Sequence, residues 1–410
     1  MAPLEPWPAA GAVMPIAVAV SGGADSTALA LLASRWAGER ELSLLAFVVD
    51  HGLRPASARE AADTVRRLHG LGIAARLLAL DGLGHGPGLA ERARIARYDL
   101  LTRACMGAGA IDLLLGHHAG DQAETVLMRR RAGSGPDGLA GMAALVHLAE
   151  IRLLRPLLPV APSRLRVTLV QAGVGWIEDP SNRDPAAQRT RLRTELATGS
   201  DGLAQALLRD ASANGAGRGI RQQEDARSLA ASAMLRPEGF ALLPPALLPA
   251  SALAALIRTI GGASYAPAAG AVARLVARPH PVTMAGTRLL PAGRFGPGWL
   301  LVREAAAVGP DCDAVDGAFW DRRFRFDAGT AGDAAANGLR IGALGPVSPP
   351  GASSRVLPAA VRMTLPALRR DGVLMAVPHL GWTADGAPAG WRFRFAPTMP
   401  ASGSACFADH

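Results

Sequence analysis

The 410 residues contain no lysine: all 43 basic side chains are arginines. No lysine ammonium of this chain can therefore serve as a nucleophile or a phosphate clamp, and the planar arginine fork must do all the cationic work. Cysteine is almost as scarce. Cys105, Cys312 and Cys406 stand alone, with no C-x-x-C pair and no metal-ligand spacing, which argues against a disulfide scaffold and for packing roles in a reducing compartment. Long uncharged stretches are few. Residues 6–24 lack the basic flank of a signal peptide, and residues 239–257 carry Pro244, Pro245 and Pro249, which break a membrane helix. A soluble cytoplasmic protein with no membrane contact is the expectation. What the chain does have is excess positive charge, +9 in all, which favours a polyanionic partner. Its length gives room for two or three domains.

The most informative stretch is Ile16-Ala17-Val18-Ala19-Val20-Ser21-Gly22-Gly23-Ala24-Asp25-Ser26. An apolar strand runs into two adjacent glycines, then into residues 27–32, which are good helix formers. Glycines let backbone N–H groups turn towards an anion, Ser21 and Ser26 add hydroxyls, and a helix N-terminus adds its positive dipole end. The loop lacks the Lys-Ser/Thr ending of a Walker motif and is not G-x-G-x-x-G. An ordinary serine-glycine turn is the plain alternative. The hexapeptide resembles the S-G-G-x-D-S signature of the PP-loop ATP pyrophosphatases, which split ATP into AMP and pyrophosphate.

From residue 16 to about 118 short apolar runs alternate with helical segments. Residues 16–20, 44–49, 75–80 and 111–115 read as strands, apolar on both faces, and residues 27–36, 56–68 and 89–106 as helices. That alternation predicts an α/β fold, a doubly wound parallel sheet, with ligands at the carboxyl ends of its strands. Smaller C-terminal domains are expected beyond it, with segments at 1–204, 205–309 and 310–410. The last two are Ala-rich and hard to parse.

Further motifs lie at the predicted strand ends. The second strand ends in Asp50-His51-Gly52-Leu53-Arg54 and the fourth in Gly116-His117-His118-Ala119-Gly120-Asp121-Gln122-Ala123-Glu124-Thr125. Asp121 and Glu124, three apart at a helix start, share a face. They suit an N-terminal capping acid, a magnesium ligand beside a triphosphate, or a seat for a cationic amine. Arg129-Arg130-Arg131 precedes the glycine-rich segment Gly133–Met142, a candidate for RNA phosphates or simply a solvated face. Glu178-Asp179-Pro180-Ser181-Asn182-Arg183-Asp184-Pro185, with Arg189, Arg191 and Arg193 after it, reads as an acidic turn feeding a basic strip, or as a surface loop and charged helix.

Taken in order, Val18–Ser26, Val49–Arg54, Arg94–Tyr98, Gly116–Thr125, Gly133–Met142, Leu153–Leu158 and Glu178–Arg193 resemble the tRNA(Ile)-lysidine synthetases, strongly over residues 16–195 and faintly towards the C-terminus. The resemblance implies an enzyme that ligates L-lysine to the wobble cytidine of the isoleucine tRNA with a CAU anticodon, using ATP and Mg2+. By the same resemblance Ser21, Gly22, Gly23, Ala24, Asp25 and Ser26 cradle the nucleotide with His51 nearby. Asp25, Asp121, Glu124 and Arg97 are catalytic, with Asp25 and Asp121 as magnesium ligands. Arg54 also lies near the nucleotide or target base, and the C-terminal segments grip the tRNA. The family usually shows two adjacent aspartates after His-His-Ala, and here the first is Gly120. That departure keeps open a tRNA-binding homologue without chemistry, and a thiolating PP-loop enzyme is the other rival.

Overall fold

The computed structural model describes residues 7, 14–52, 56–80, 86, 88–148, 150–178, 188–198, 202–329, 338–350, 357–388 and 390–402. The chain divides into two compact units, Met1–Ile220 and Arg221–Gly403.

In the first unit β1 (Ile16–Ala19), α1 (Ala24–Gly38), β2 (Leu44–Asp50), α2 (Ser57–Gly70), β3 (Ala74–Ala79), α3 (Leu89–Gly107) and β4 (Asp112–Leu114) follow one another. Then come α4 (Ala119–Arg131), α5 (Pro136–Leu139), β5 (Leu145–His147), β6 (Arg152–Leu154), α6 (Pro162–Gln171) and α7 (Gln188–Thr198), followed by α8 (Leu203–Ser232), whose residues from 221 on belong to the second unit. The sheet order is β3-β2-β1-β4-β6-β5. All neighbouring pairs are parallel except the edge pair of β5 with β6.

Strand residues alternate between two cores, as a sheet covered on both faces requires. Val18, Leu114 and Leu154 face a core with Ala28, Leu29, Leu68, Leu165 and Leu169 from α1, α2 and α6. Ala17, Leu113 and Leu153 face the other, with Leu101 and Cys105 from α3. Burial of a leucine side chain contributes about 1.5–3 kcal/mol, so the alternation locks the register. The chain leaves β1 towards β2 on one side and later returns to β4 on the other. The exits of β1 and β4 therefore meet at the point where winding reverses, which opens a crevice at the strands' carboxyl ends.

The second unit is mostly antiparallel. Strands β7 (Met234–Arg236), β8 (Phe240–Leu243), β9 (Val282–Met284), β10 (Thr287–Pro291) and β11 (Trp299–Arg303) form a sheet in the order β7-β8-β11-β10-β9. Its inner residues Ala241, Leu243, Leu289 and Leu301 pack with Leu253, Leu256 and Ile257 of α9 (Ala250–Ile260) and Val272 of α10 (Ala269–Ala277). The proline-broken apolar run thus forms a strand and a separate helix. Among the described residues no helix is long and apolar enough to cross a membrane.

A second sheet joins β12 (Cys312–Asp313), β15 (Arg340–Ala343), β16 (Pro366–Arg370), β17 (Val373–Val377) and β18 (Trp382–Thr383) in that order. A third joins β13 (Phe319–Trp320), β14 (Phe324–Asp327) and β19 (Arg392–Phe395).

Candidate active site

The loop between β1 and α1 has the shape its glycines suggest. Gly22 takes a left-handed φ of 86°, and a Cβ there would lie 2.5 Å from Thr64 Oγ1, so backbone and space both demand glycine. Gly23 is the N-cap of α1 and, having no side chain, makes no side-chain cap. Ser26 ties the loop together instead: its hydroxyl accepts from the Ser21 N–H at 3.1 Å, lies 3.1 Å from Ser21 Oγ and donates to the Gly23 carbonyl at 3.1 Å. Ile177 N–H donates to the Gly22 carbonyl at 2.8 Å and so satisfies that oxygen. Ala24 and Ser26 are buried, whereas the Asp25 side chain is 39% exposed in the first turn of α1. The result is a rigid cradle with one accessible carboxylate at its mouth.

Opposite it, α4 begins with His118 as N-cap. The imidazole Nδ1 accepts from the Asp121 N–H at 3.3 Å, and the His118 N–H donates to Asp121 Oδ2 at 3.1 Å, a capping box with an imidazole in the usual hydroxyl's place. Because Nδ1 accepts, Nε2 carries the ring proton. Nε2 lies 3.4 Å from Asp25 Oδ2 and 3.7 Å from Asp121 Oδ2. Burial works against a charged ring here, but the hydrogen bond to Asp25 and the charges of Asp121 and Asp25 outweigh it and raise the His118 pKa.

Glu124, one turn further along α4, is buried, and its Oε1 accepts from Arg193 Nε of α7 at 2.6 Å. Arg193 also reaches Asp121 Oδ1 at 3.5 Å. Burial disfavours the guanidinium, yet Glu124, Asp121 and Asp25 together raise its pKa. Asp25, Asp121 and Glu124, 99 residues apart at their extremes, are therefore linked by one imidazole and one guanidinium. Sequence reading noted Arg193 only as part of a basic strip, because its partners lie far away along the chain. Arg193→Ala is expected to cost about 1–3 kcal/mol, since Glu124 keeps its burial and loses a charge-assisted donor. Arg193→Lys restores little of it, because one ammonium cannot span two carboxylates as the fork does. Melting curves of the two variants check this, and wild-type stability of Arg193→Ala would disprove it.

The other sequence-predicted residues separate into groups. His51 follows β2, and burial first, then the nearby Arg97 charge, lowers its pKa against the opposing pull of Asp50. Arg97 on α3 lies with its guanidinium 5.5 Å from the Tyr98 ring centre. These two form a separate pair on the β2 side of the loop. Arg54 and the turn 179–185 lie outside the described residues, as does Cys406.

The arginine run does not stand free. Arg129 donates to the carbonyls of Gly138 and Gly141 at 2.8 Å each, while Arg130 pairs with Asp210 and Arg131 with Glu195. Gln122 clamps the same glycine-rich segment through Met142, donating to its carbonyl at 3.0 Å and accepting from its N–H at 2.7 Å. The segment is thus fastened to α4, directly behind the acids. Gly120 is the second residue of α4, inside its first turn, and its φ is not positive.

Among the described residues no three or more His, Cys, Asp or Glu side chains are arranged to hold a metal ion. Magnesium needs less, because it is commonly bound by one or two carboxylates together with substrate phosphates. Asp25 and Asp121, facing one imidazole proton beside an anion cradle, have the right chemistry. Cys105 is fully buried against the sheet, and burial foremost pushes its thiol up to about 12, which removes it as a thiolate nucleophile. A thiol reagent is expected to leave Cys105 unmodified in the native chain, and Cys105→Ala to keep activity. Rapid native labelling traced to Cys105 by mass spectrometry would contradict this.

Residues 11–199 match the family described as a PP-loop domain. The tRNA(Ile)-lysidine synthase of Bradyrhizobium sp. is 48% identical over 185 residues, 45% of this chain and 52% of that protein. Its counterpart in Mesorhizobium japonicum is 39% identical over 74% of this chain and 70% of that protein. That of Ruegeria pomeroyi is 34% identical over 90% of each. The matched stretch thus spans about half the length of the first relative and nine-tenths of the last. Among solved structures the chain is similar to a U34-tRNA thiolase from Methanococcus maripaludis with its 4Fe-4S cluster, at 18% identity over 48% of this chain and 72% of that one, with a TM-score of 0.41. With a PP-loop domain carrying its cradle at the sheet's switch point and a relative alike over 90% of each chain, the chain belongs to the tRNA(Ile)-lysidine synthase family of PP-loop enzymes.

Proposed function

We propose that this chain joins L-lysine to the wobble cytidine of the CAU-anticodon isoleucine tRNA, consuming ATP and releasing AMP and pyrophosphate. The observation that carries the reading is the meeting of an anion cradle, Ser21–Ser26, with an acidic cluster at the start of α4 across a single imidazole. A triphosphate and an amine can be held side by side there, and the reaction needs both.

The ring carbonyl oxygen of cytidine attacks the α-phosphorus, the bond to pyrophosphate breaks, and the oxygen becomes part of a good leaving group. Backbone N–H groups of the cradle and the α1 dipole stabilise the departing pyrophosphate where its charge develops. Bound Mg2+ would neutralise phosphate charge, with Asp25 and Asp121 as its protein ligands. The lysine amine then attacks the activated ring carbon and AMP leaves. Asp121 and Glu124 orient the ammonium and take its proton, while Arg193 holds the two carboxylates in place. His51 and Arg97 flank the nucleotide or target base. The segments 205–309 and 310–410 hold the tRNA body while its single-stranded anticodon loop presents the base.

The test is pyrophosphate release with lysine and tRNA supplied separately and together, combined with mass analysis of the recovered tRNA. Release that needs both, with lysine added to the wobble nucleoside, is the expected result. Release with tRNA but without lysine would point to another base-modifying reaction. Tight tRNA binding with no release at all would make the chain a non-catalytic homologue. Intact Asp25, Asp121 and Glu124, placed as described, favour the catalytic reading despite Gly120.

A further inference from the structure

Arg155 is 7% exposed, yet among the described residues no carboxylate meets it. A buried charge without a partner is costly. By contrast, Arg303 and Arg323 share Asp321, Arg152 holds Asp112 and Arg193 holds Glu124. Leu153 faces the core under α3 and Leu154 the opposite one, so the alternation turns Arg155 towards α3. Its Nη1 donates to the Ala143 carbonyl at 2.8 Å, but Nε is buried and donates to nothing among the described residues. Burial foremost lowers its pKa, Tyr98 alone opposes that, and the charge of Arg94 adds to the lowering. The Tyr98 hydroxyl is likewise buried with no hydrogen-bond partner among the described residues. Over the Tyr98 ring lie two further guanidiniums, Arg94 at 5.1 Å and Arg97 at 5.5 Å from its centre, and neither pairs with an acid among the described residues.

We infer that Arg94, Arg97 and Arg155, gathered round Tyr98, form a phosphate-binding subsite separate from the Ser21–Ser26 cradle, and that it takes a backbone phosphate of the RNA beside the target cytidine. The inference rests on the proposed function for the identity of that RNA. Three like charges around one neutral ring repel one another until an anion lies among them, and guanidinium forks match the paired oxygens of a phosphodiester. Arg155 Nε and the Tyr98 hydroxyl add donors that the protein itself leaves unused. Arg155 follows β6, so the cluster stands at the carboxyl ends of the strands, on the α3 side of the sheet. The cradle opens α1, which covers the other face. A bound triphosphate has that cradle already, which makes the RNA the expected source of a second phosphate. The α-phosphate of ATP is the other source of the same chemistry.

The test compares full-length wild type, Arg155→Met and Arg94→Gln in melting temperature, Mg-ATP thermal shift and the salt dependence of binding to the CAU-anticodon isoleucine tRNA. Arg155→Met keeps an unbranched stem and removes the charge. It should melt near the wild-type temperature, because a buried charge without an acid stabilises the free protein little. Its tRNA affinity should nevertheless fall about tenfold or more, the size of one charge-assisted contact. The log–log salt slope should flatten by about 0.7–0.9, one phosphate contact. Arg94→Gln changes an exposed side chain and should flatten the slope in the same direction. The Mg-ATP shift should stay at its wild-type size in both.

A diminished Mg-ATP shift with an unchanged salt slope would keep the phosphate subsite and make ATP its occupant, overturning the assignment to RNA. Wild-type slope and wild-type shift in both variants, or losses of binding that merely track melting temperature, would overturn the subsite itself. Should Arg155→Met fail to fold, Arg155 is a structural residue and Arg94→Gln alone decides whether a phosphate is held there. Wild-type inactivity with lysine and tRNA would refute the proposed reaction instead, and the binding measurements, which need no turnover, would still decide the subsite.

Discussion

Asp25→Asn is expected to lower pyrophosphate release by about 10²–10³-fold, the size of effect seen when one electrostatic partner of a developing charge is removed. The substitution keeps shape and an oxygen able to accept from His118 Nε2, so the cradle geometry should persist and melting should change little. Only the charge is lost. Asp25 is the accessible carboxylate at the mouth of the phosphate loop, with its side chain 39% exposed, so no packing requirement accounts for an acid there. The helix dipole gives an acid in the first turn some benefit, about 0.3–1 kcal/mol, too little to explain a loss of that size in turnover. Steady-state release assays and Mg-ATP thermal shifts are the measurements. Wild-type turnover with a wild-type ATP-induced shift would remove Asp25 from the metal and phosphate machinery.

The second large effect concerns stability. Asp321→Asn is expected to destabilise the second unit by about 3–5 kcal/mol, the cost of leaving buried charge uncompensated. Arg323 is wholly buried, and Asp321 and Arg303 nearly so. Asp321 accepts from Arg323 Nε at 2.7 Å, from Arg303 at 2.8 and 3.1 Å, and from the Gly309 N–H at 2.8 Å. Arg323 also reaches the carbonyls of Gly239 and Thr364 at 3.3 and 3.4 Å. One carboxylate therefore joins β11, the turn between β13 and β14, and the segments on either side of them. Asp321 takes a left-handed φ of 50°, which asparagine tolerates as well as aspartate does, so the substitution tests charge and not backbone.

Burial pulls the Arg323 guanidinium down to about 10, against the opposing pull of Asp321, and leaves it charged at neutral pH. For Asp321 burial alone would raise the pKa, but Arg303 and Arg323 outweigh it and hold the carboxyl below its ordinary 3.8. The unfolded chain thus takes up the proton first as pH falls. The stabilisation is fully present above that ordinary value and is lost as pH drops through the lower, folded one. Calorimetry of full-length wild type and Asp321→Asn should show a melting difference on the order of 10 °C at neutral pH. It should shrink under acid, and equal melting at neutral pH would refute the role.

Several features were legible without coordinates. The first four strands and three helices of the nucleotide unit follow from apolar runs broken by polar turns, and each lies within a few residues of its predicted span. A strand covered on both faces must be apolar throughout, which makes it conspicuous. The turn from β1 into α1 was equally plain, because two adjacent glycines between a strand and a helix let the backbone turn sharply. The second unit was not. Its described strands all have two to five residues, too short for a period of two to stand out in Ala-rich text. Nor did the text show that Arg129, Arg130 and Arg131 are already engaged, since their partners are Gly138 of α5 with Gly141 just after it, Asp210 of α8 and Glu195 of α7.

Local chemistry alone thus determined where the chain turns, which loop can hold an anion and which acids stand one helical turn apart. Those properties depend on neighbours within a few residues, where backbone sterics and hydrogen-bond inventory leave little freedom. Which loops meet depended on strand order. Placing β1 between β2 and β4 brings Asp25 to His118 and, through α7, Arg193 to Glu124. That order is set by the burial of two opposite sheet faces by helices from distant parts of the chain, a balance no short stretch contains.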